Sequence, residues 1–263
     1  MTQPPLGALT GWPARLLTHG VLSFVALTRG VTRLTYQGLN GLEGLLSHGL
    51  RCDEREALTV IMHEQLAQGP APRRALFDWE LRLFVDQLPR PPASLLLGGA
   101  GTGAEALPLT DAGYGVHAFE PAAGCLPPLR AAVGPRGSAR VLSYQDLVAP
   151  TAGHAQAAAR IAARRYDAVL LGWGSFNHVL DAETRLALMR RLAQLCPEGP
   201  ILLSCTLTSE TEPARQSRAF ELGVRAGEQL GRLRRLPPPA AAERERFWPH
   251  SGFVHLFSAR ELG

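Results

Sequence analysis

The 263 residues are 46% apolar and only 19% charged, with a mean hydropathy of -0.01, which excludes a disordered or fibrous chain and fits one large domain with an extension. All 27 basic residues are arginine against 23 acids, and the resulting charge of +4 is too small to point to nucleic acid. The four cysteines, Cys52, Cys125, Cys196 and Cys205, form no C-x-x-C pair. That argues against a zinc site and a disulfide scaffold, and makes a reducing, cytoplasmic setting the expectation.

In chain order, Val21 to Thr28 is apolar but contains Ser23 and is closed by Arg29, well short of the ~20 residues that span a bilayer. No cleavage-site pattern follows it, so neither a signal peptide nor a membrane span is expected. From Val31 to Leu50 the residues Val31, Leu34, Leu42, Leu45 and Leu46 recur at helical spacing, while Gly38, Gly41 and Gly44 permit close backbone approach. This predicts a packed helical extension, with a mobile lid as the alternative and a surface through which the chain could form a homo-oligomer. Asp53 is placed to cap a second helix over Glu54 to Gln65, and a third runs from about Arg73 to Leu88 with Leu76, Trp79, Leu83 and Phe84 as its stripe. Pro89-Arg90-Pro91-Pro92 then divides the chain into a helical extension or lid at 1–90 and a second domain at 91–263.

Beyond the prolines, short apolar runs alternate with glycine-rich turns and helical stretches, the mark of β-α-β units around a parallel sheet. Strands are predicted at Ser94 to Gly98, Gly115 to Glu120, Arg140 to Tyr144, Tyr166 to Gly172 and Pro200 to Cys205. The expected sheet order is 3-2-1-4-5, doubly wound, with helices on both faces. Asp181 is an N-cap for a helix ending near Leu195, and Ala155 to Arg165 is a further helix.

The segment Leu95-Leu96-Leu97-Gly98-Gly99-Ala100-Gly101-Thr102-Gly103-Ala104-Glu105 runs from an apolar strand through closely spaced glycines toward a helix. Without side chains, such a turn lets a ligand reach the backbone at the carboxyl edge of the sheet. Read as Gly99-x-Gly101-x-x-Ala104, it also fits a dinucleotide fingerprint, and Glu120 at the end of the second strand suits a ribose in either case. An NAD(P)-dependent oxidoreductase therefore stands beside the reading that follows.

The stretch from Ser94 to Cys205 resembles the class I S-adenosylmethionine-dependent methyltransferases, which have a Rossmann-like fold. The resemblance is carried by Gly99-Ala100-Gly101-Thr102-Gly103, by Ala112 to Pro121 with Glu120, by Tyr144-Gln145-Asp146-Leu147, by Tyr166 to Leu171, and by Leu195 to Leu203, in that order. It implies S-adenosylmethionine as cofactor and a small-molecule acceptor with an oxygen or nitrogen nucleophile. It further implies that Gly99, Gly101 and Gly103 hold the methionyl part, Glu120 the ribose, Asp146 the adenine amino group with Leu147 beside it, and that Gly172 and Trp173 face the sulfonium. Leu97 departs from the family, which often carries an acid there to position the glycine loop or the methionyl ammonium. That departure keeps a non-catalytic scaffold open as a third reading.

Gly172-Trp173-Gly174-Ser175-Phe176-Asn177-His178-Val179 follows the fourth strand, where open α/β sheets place the reacting centre. His178 is either a general base toward the acceptor or a hydrogen-bonding brace of the loop. The walls of the acceptor pocket are expected from the helical extension and from the insertion after Cys205, with Phe220, Phe247, Trp248, His250 and His255. Arg232, Arg234 and Arg235 before Pro237-Pro238-Pro239 read as a solvated face. Ser258-Ala259-Arg260-Glu261 has the form of a capping box, after which the family usually continues with a helix and a strand hairpin, so either a truncation or a different completion of the sheet is expected.

Overall fold

The structure, a computed structural model, describes residues 12–67, 76–208, 217–236, 245–249 and 251–262. A five-stranded parallel sheet is formed by β1 (Ser94–Gly98), β2 (Gly115–Glu120), β3 (Ser138–Val141), β4 (Ala168–Leu171) and β5 (Ile201–Leu203), in the order β3-β2-β1-β4-β5. This is the doubly wound, Rossmann-like order expected from the sequence, with every neighbouring pair parallel. The alternation of side chains along each strand sorts the core into two layers. Leu96, Phe119, Val169 and Leu171 face α7 (Ala155–Ala162) and α8 (Ala182–Leu195). Leu95, Leu97, Val116, Ala118 and Leu170 face the other side, with α4 (Ala106–Asp111) and α5 (Leu126–Val133). Asp181 caps α8 as expected, its carboxylate accepting from the Thr184 N–H at 2.7 Å.

The third strand lies two residues earlier than its predicted start and ends at Val141 instead of Tyr144. Ser143 is the reason, because its Oγ accepts from the Asp146 N–H at 3.0 Å and so starts α6 (Tyr144–Val148) where the strand was expected to continue. The fourth and fifth strands keep only the inner residues of their predicted runs.

Before the sheet, α1 (Trp12–Gly49) begins well ahead of the predicted Val31, since no proline interrupts the chain between Pro13, in the first turn, and its end. Next come α2 (Cys52–Leu66) and α3 (Asp78–Gln87). Asp53 does not cap α2. Arg51 holds the cap position, its N–H donating to the Glu54 carboxylate at 2.9 Å, while Asp53 sits inside the first turn and pairs with the Arg51 side chain. Residues 73–75 of the predicted third helix lie outside the described residues.

After β5 come α9 (Arg218–Leu233) and an antiparallel hairpin of β6 (Glu245–Trp248) and β7 (Gly252–His255). Gly223, Gly227 and Gly231 recur every fourth residue along α9, so a stripe of bare backbone faces α1. A Cβ at Gly223 would collide with the Gly41 carbonyl, and one at Gly44 would lie 2.8 Å from the Val224 nitrogen. Arg234 then closes the end of α1, donating to the Gly49 carbonyl at 2.8 Å and pairing with Glu54, while Arg232, Arg234 and Arg235 are all exposed, as expected of a solvated face. The buried Arg55–Glu245 ion pair joins α2 to the hairpin. At the C-terminal end of the described chain, Ser258 and Glu261 form the predicted capping box, opening α10 (Ala259–Leu262). Among the described residues, no helix is long and apolar enough to cross a membrane.

Candidate active site

A cavity of about 560 Å³ opens at the carboxyl ends of β1, β2 and β4, within the ~300–1,000 Å³ typical of small-molecule sites. Its floor is the glycine turn after β1, where Gly99, Ala100, Gly101 and Thr102 line it. Gly101 has φ +52, and a Cβ built on it meets nothing within 4 Å, so this position faces open space. Gly103 has a different task. At φ +97 its Cβ would stand 2.7 Å from that of Ala132, which makes it a packing glycine against α5 rather than part of the cavity wall. Gly99 leaves room for protein, since a Cβ there would press on the hydroxyls of Ser175 and Tyr144, which are hydrogen-bonded to each other at 2.6 Å.

Glu120 lines the cavity at the end of β2 and is only 3% exposed. Its carboxylate accepts from the Gly101 N–H at 2.9 Å and from the Ala122 N–H at 3.1 Å, so the glycine turn and the tip of β2 are tied together. Burial pushes its pKa up against the pull of these two donors. Beside it, Glu64 of α2 accepts from the N–H groups of Ala123 and Gly124 at 2.6 and 2.9 Å, anchoring the helical extension over the same strand end.

Of the other predicted cofactor residues, Trp173 lines the cavity and is 61% exposed. Its N–H donates to the Glu105 carboxylate at 3.0 Å. Glu105 itself is buried and lines the cavity beside the glycine turn. Leu97, where the resemblance leads to an acid being expected, is fully buried in the core, and Glu105, the residue that ends the quoted motif, is a carboxylate at the cavity. Asp146, Leu147 and Gly172 do not line the cavity. The Asp146 carboxylate is taken up by Ser143 and Thr151 and by His154, whose Nδ1 lies 2.9 Å away. These donors hold its pKa below the usual range even though burial opposes them. Leu147 is core, and Gly172 is a close-approach glycine whose Cβ would strike the Gly99 carbonyl. Gln145, the neighbour of Asp146, is the residue of that motif that reaches the wall with Tyr144.

A further wall comes from the helical extension and from the region after Cys205. From α2, Glu56, Thr59, Val60 and His63 fall at i, i+3, i+4 and i+7, one helical face turned to the cavity, and from the hairpin region come Trp248, Ser251 and Val254. Phe247 packs instead on Phe253, and His255 is buried against Glu261. Phe220 lies at the contact of α9 with α1, and His250 lies outside the described residues.

His178 lines this wall, and its Nδ1 is 2.7 Å from the Phe253 carbonyl. A carbonyl can only accept, so Nδ1 carries the proton and Nε2 carries the lone pair. Burial, with a smaller contribution from His63 nearby, lowers the His178 pKa to about 4. His63 meets it edge to face, ring centroids 5.1 Å apart. Its Nε2 donates to the Ser251 carbonyl at 3.1 Å, which leaves Nδ1 as its acceptor nitrogen. Nothing in the sequence singled out His63, because it is a lone histidine on a helix far from the strand-end motifs.

No family model and no curated protein matches the chain. Among solved structures, the CcbJ methyltransferase from Streptomyces caelestis is similar at 24% identity over 56% of this chain and 57% of its own, with a TM-score of 0.42. The glycopeptide N-methyltransferase MtfA is similar at 25% identity over 51% of this chain and 56% of its own, with a TM-score of 0.39. Magnesium protoporphyrin IX methyltransferase (ChlM) from Synechocystis PCC 6803 is similar at 18% identity over 64% and 67%, with a TM-score of 0.37. The chain thus spans little more than half the length of the first two.

Proposed function

We propose that this cavity binds S-adenosylmethionine and that the protein transfers its methyl group to a small molecule with an oxygen or nitrogen nucleophile. One observation carries the reading: Gly101, in the left-handed conformation and open to the cavity, is fastened by its N–H to the buried carboxylate of Glu120. The turn that would cradle the methionyl group and the acid that would hold the ribose therefore form one rigid unit at the carboxyl edge of the sheet.

The residues present fit the cofactor. The oxygens of Glu120 each accept one backbone N–H and keep a lone pair for a ribose hydroxyl. Glu105 offers the carboxylate that an ammonium group needs beside the glycine turn. Gln145 and Tyr144 belong to the motif that the resemblance assigns to the adenine, and as the members of it that line the cavity they would face that ring. When bound, the cofactor supplies a methyl group already activated by its sulfonium. The chain's part is then to position the acceptor and to exclude water, to which the walls from α2 and the β6–β7 hairpin contribute. Burial makes His178 a weak base and fixes it as a neutral hydrogen-bond acceptor. Its Nε2 accepts from the Ser251 hydroxyl at 3.4 Å, so both ring nitrogens are engaged by the hairpin region and His178 acts as a brace that holds the Ser251 hydroxyl at the wall.

The division into a helical extension at 1–90 and a catalytic domain at 91–263, and a cytoplasmic location, belong to the same proposal. Calorimetric titration with S-adenosylmethionine and S-adenosylhomocysteine tests it, alongside fluorescence titration with reduced nicotinamide cofactors. Binding of the first pair without the second is the expected result. No heat at millimolar concentration would sink the reading, and nicotinamide binding would replace it with the oxidoreductase.

A further inference from the structure

The first 42 residues carry Arg15, Arg29 and Arg33 and no acid, so the 23 acidic side chains of the chain begin only with Glu43. Most of this stretch belongs to α1. The last turns of α1 pack on α9, where Gly41 meets Ala219 and Gly44 meets Phe220 and Val224. Further back, from Ser23 to Tyr36, every residue except Val25 is exposed. This length of the helix therefore stands clear of the other described residues. Phe24, Leu27, Val31 and Leu34 recur there at alternating steps of three and four and form one stripe. Each is between 56% and 69% exposed, a continuous apolar surface of the kind that marks a binding face. Arg29 and Arg33 fall on the other side of the helix.

The stripe continues on α9. The glycine contacts fix the sides on which the two helices meet, and both run in the same direction, with Gly41 beside Ala219 and Gly49 beside Gly227. Helical spacing from those contacts turns the exposed Leu222, Leu230 and Leu233 to the same side of the pair as Phe24, Leu27, Val31 and Leu34. The exposed Arg218 and Arg225 lie along the outer edge of α9. Glu221 and Glu228 turn the other way, where Glu228 meets Arg232 at 3.5 Å. Neither helix places a carboxylate on the apolar side.

Charge decides what this surface fits. A second copy of the chain would bring two arginine-bearing, acid-free helices together with nothing to match their charge. An anionic lipid surface matches both features, its hydrocarbon receiving Phe24 and the leucines and its headgroups drawing the arginines. A helix is about 10–12 Å across, so even arginines on its far side act on the headgroups over a Debye length of about 8–10 Å. We propose that the α1–α9 pair lies on an anionic membrane surface, with Phe24, Leu27, Val31 and Leu34 inserted just below the headgroups. It rests on the bilayer and does not span it, because no described helix is long and apolar enough to cross. This anchoring is independent of the chemistry in the cavity.

The test is flotation of the whole chain with vesicles of phosphatidylcholine alone or mixed with phosphatidylglycerol, alongside sedimentation of the protein without lipid. A monomer in solution is expected, floating with the mixed vesicles and at least about tenfold less with phosphatidylcholine alone. Raising the salt to about 1 M should release it, since the Debye length falls to about 3 Å. Replacing Arg29 and Arg33 by Gln should weaken binding about fivefold for each arginine. Leu27→Gln combined with Leu34→Gln should weaken it at least about tenfold. All four side chains are exposed, so the melting temperature of both variants should match the wild type. No flotation with the mixed vesicles, equal flotation with both kinds, or flotation that neither pair of substitutions weakens would overturn the proposal. A dimer in solution that Leu27→Gln with Leu34→Gln dissociates would also overturn it and give the surface to a second copy.

Discussion

Replacing Gly101 by alanine separates the cost of the turn's shape from the value of the space in front of it. At φ +52 a Cβ costs about 1–2 kcal/mol of folding stability, and no protein atom lies within 4 Å to add to that cost. The methyl group would project into the cavity where the methionyl part of the cofactor is expected. The turn can make room only by withdrawing its N–H from Glu120, a charge-assisted bond worth about 1.5–3 kcal/mol. Cofactor affinity should therefore fall by roughly 10- to 150-fold. Gly103→Ala provides the contrast. Its Cβ would stand 2.7 Å from that of Ala132 at φ +97, so strain of about 1–3 kcal/mol and overpacking of about 1–3 kcal/mol fall on stability. Denaturant unfolding and calorimetry with S-adenosylhomocysteine on both variants measure the two quantities. Affinity within twofold of wild type in a folded Gly101→Ala protein would remove the glycine turn from the site.

Glu120→Gln should weaken S-adenosylhomocysteine by about tenfold or more in the same titration, since the amide loses the charge and turns its NH2 group toward one of two backbone N–H donors. His178 gives a signature in pH. Its folded pKa of about 4 lies below the ordinary 6.5, so its contribution is complete above pH 6.5 and is lost as the pH falls toward 4, by at most ~3 kcal/mol. Urea unfolding of wild type and His178→Gln across that window should show the wild type losing more. Arg55→Ala should cost about 3–5 kcal/mol, because it leaves Glu245 buried without its partner, and the fall in melting temperature reports it.

The sheet was legible because its strands carry short apolar-rich runs set off by glycine and proline, as in Ser94 to Gly98 and Gly115 to Glu120, whose bounds the structure reproduces. Its third strand was read too far because Ser143 acts through a side-chain hydrogen bond that competes with strand extension. The floor of the site was legible for the same reason as the sheet: Gly101 and Glu120 sit at the ends of β1 and β2, where sequence position fixes spatial position. What could not be read were contacts between distant segments. His63 reaches the cavity only because α2 folds back on the hairpin through Arg55–Glu245 and through the Phe253 N–H bond to Thr59 at 2.9 Å. The spacing of Gly223, Gly227 and Gly231 signals a close helix contact, yet only pairing with Gly41 and Gly44 of α1 shows which helix it meets.

A crystal structure of the protein soaked with S-adenosylhomocysteine tests the account most directly. The ribose hydroxyls are expected on Glu120, the methionyl ammonium beside Glu105, the Cα of Gly101 in van der Waals contact with the ligand, and the sulfur facing the wall that carries His63 and His178. Ligand density elsewhere on the chain, or a sulfur turned away from that wall, would contradict it.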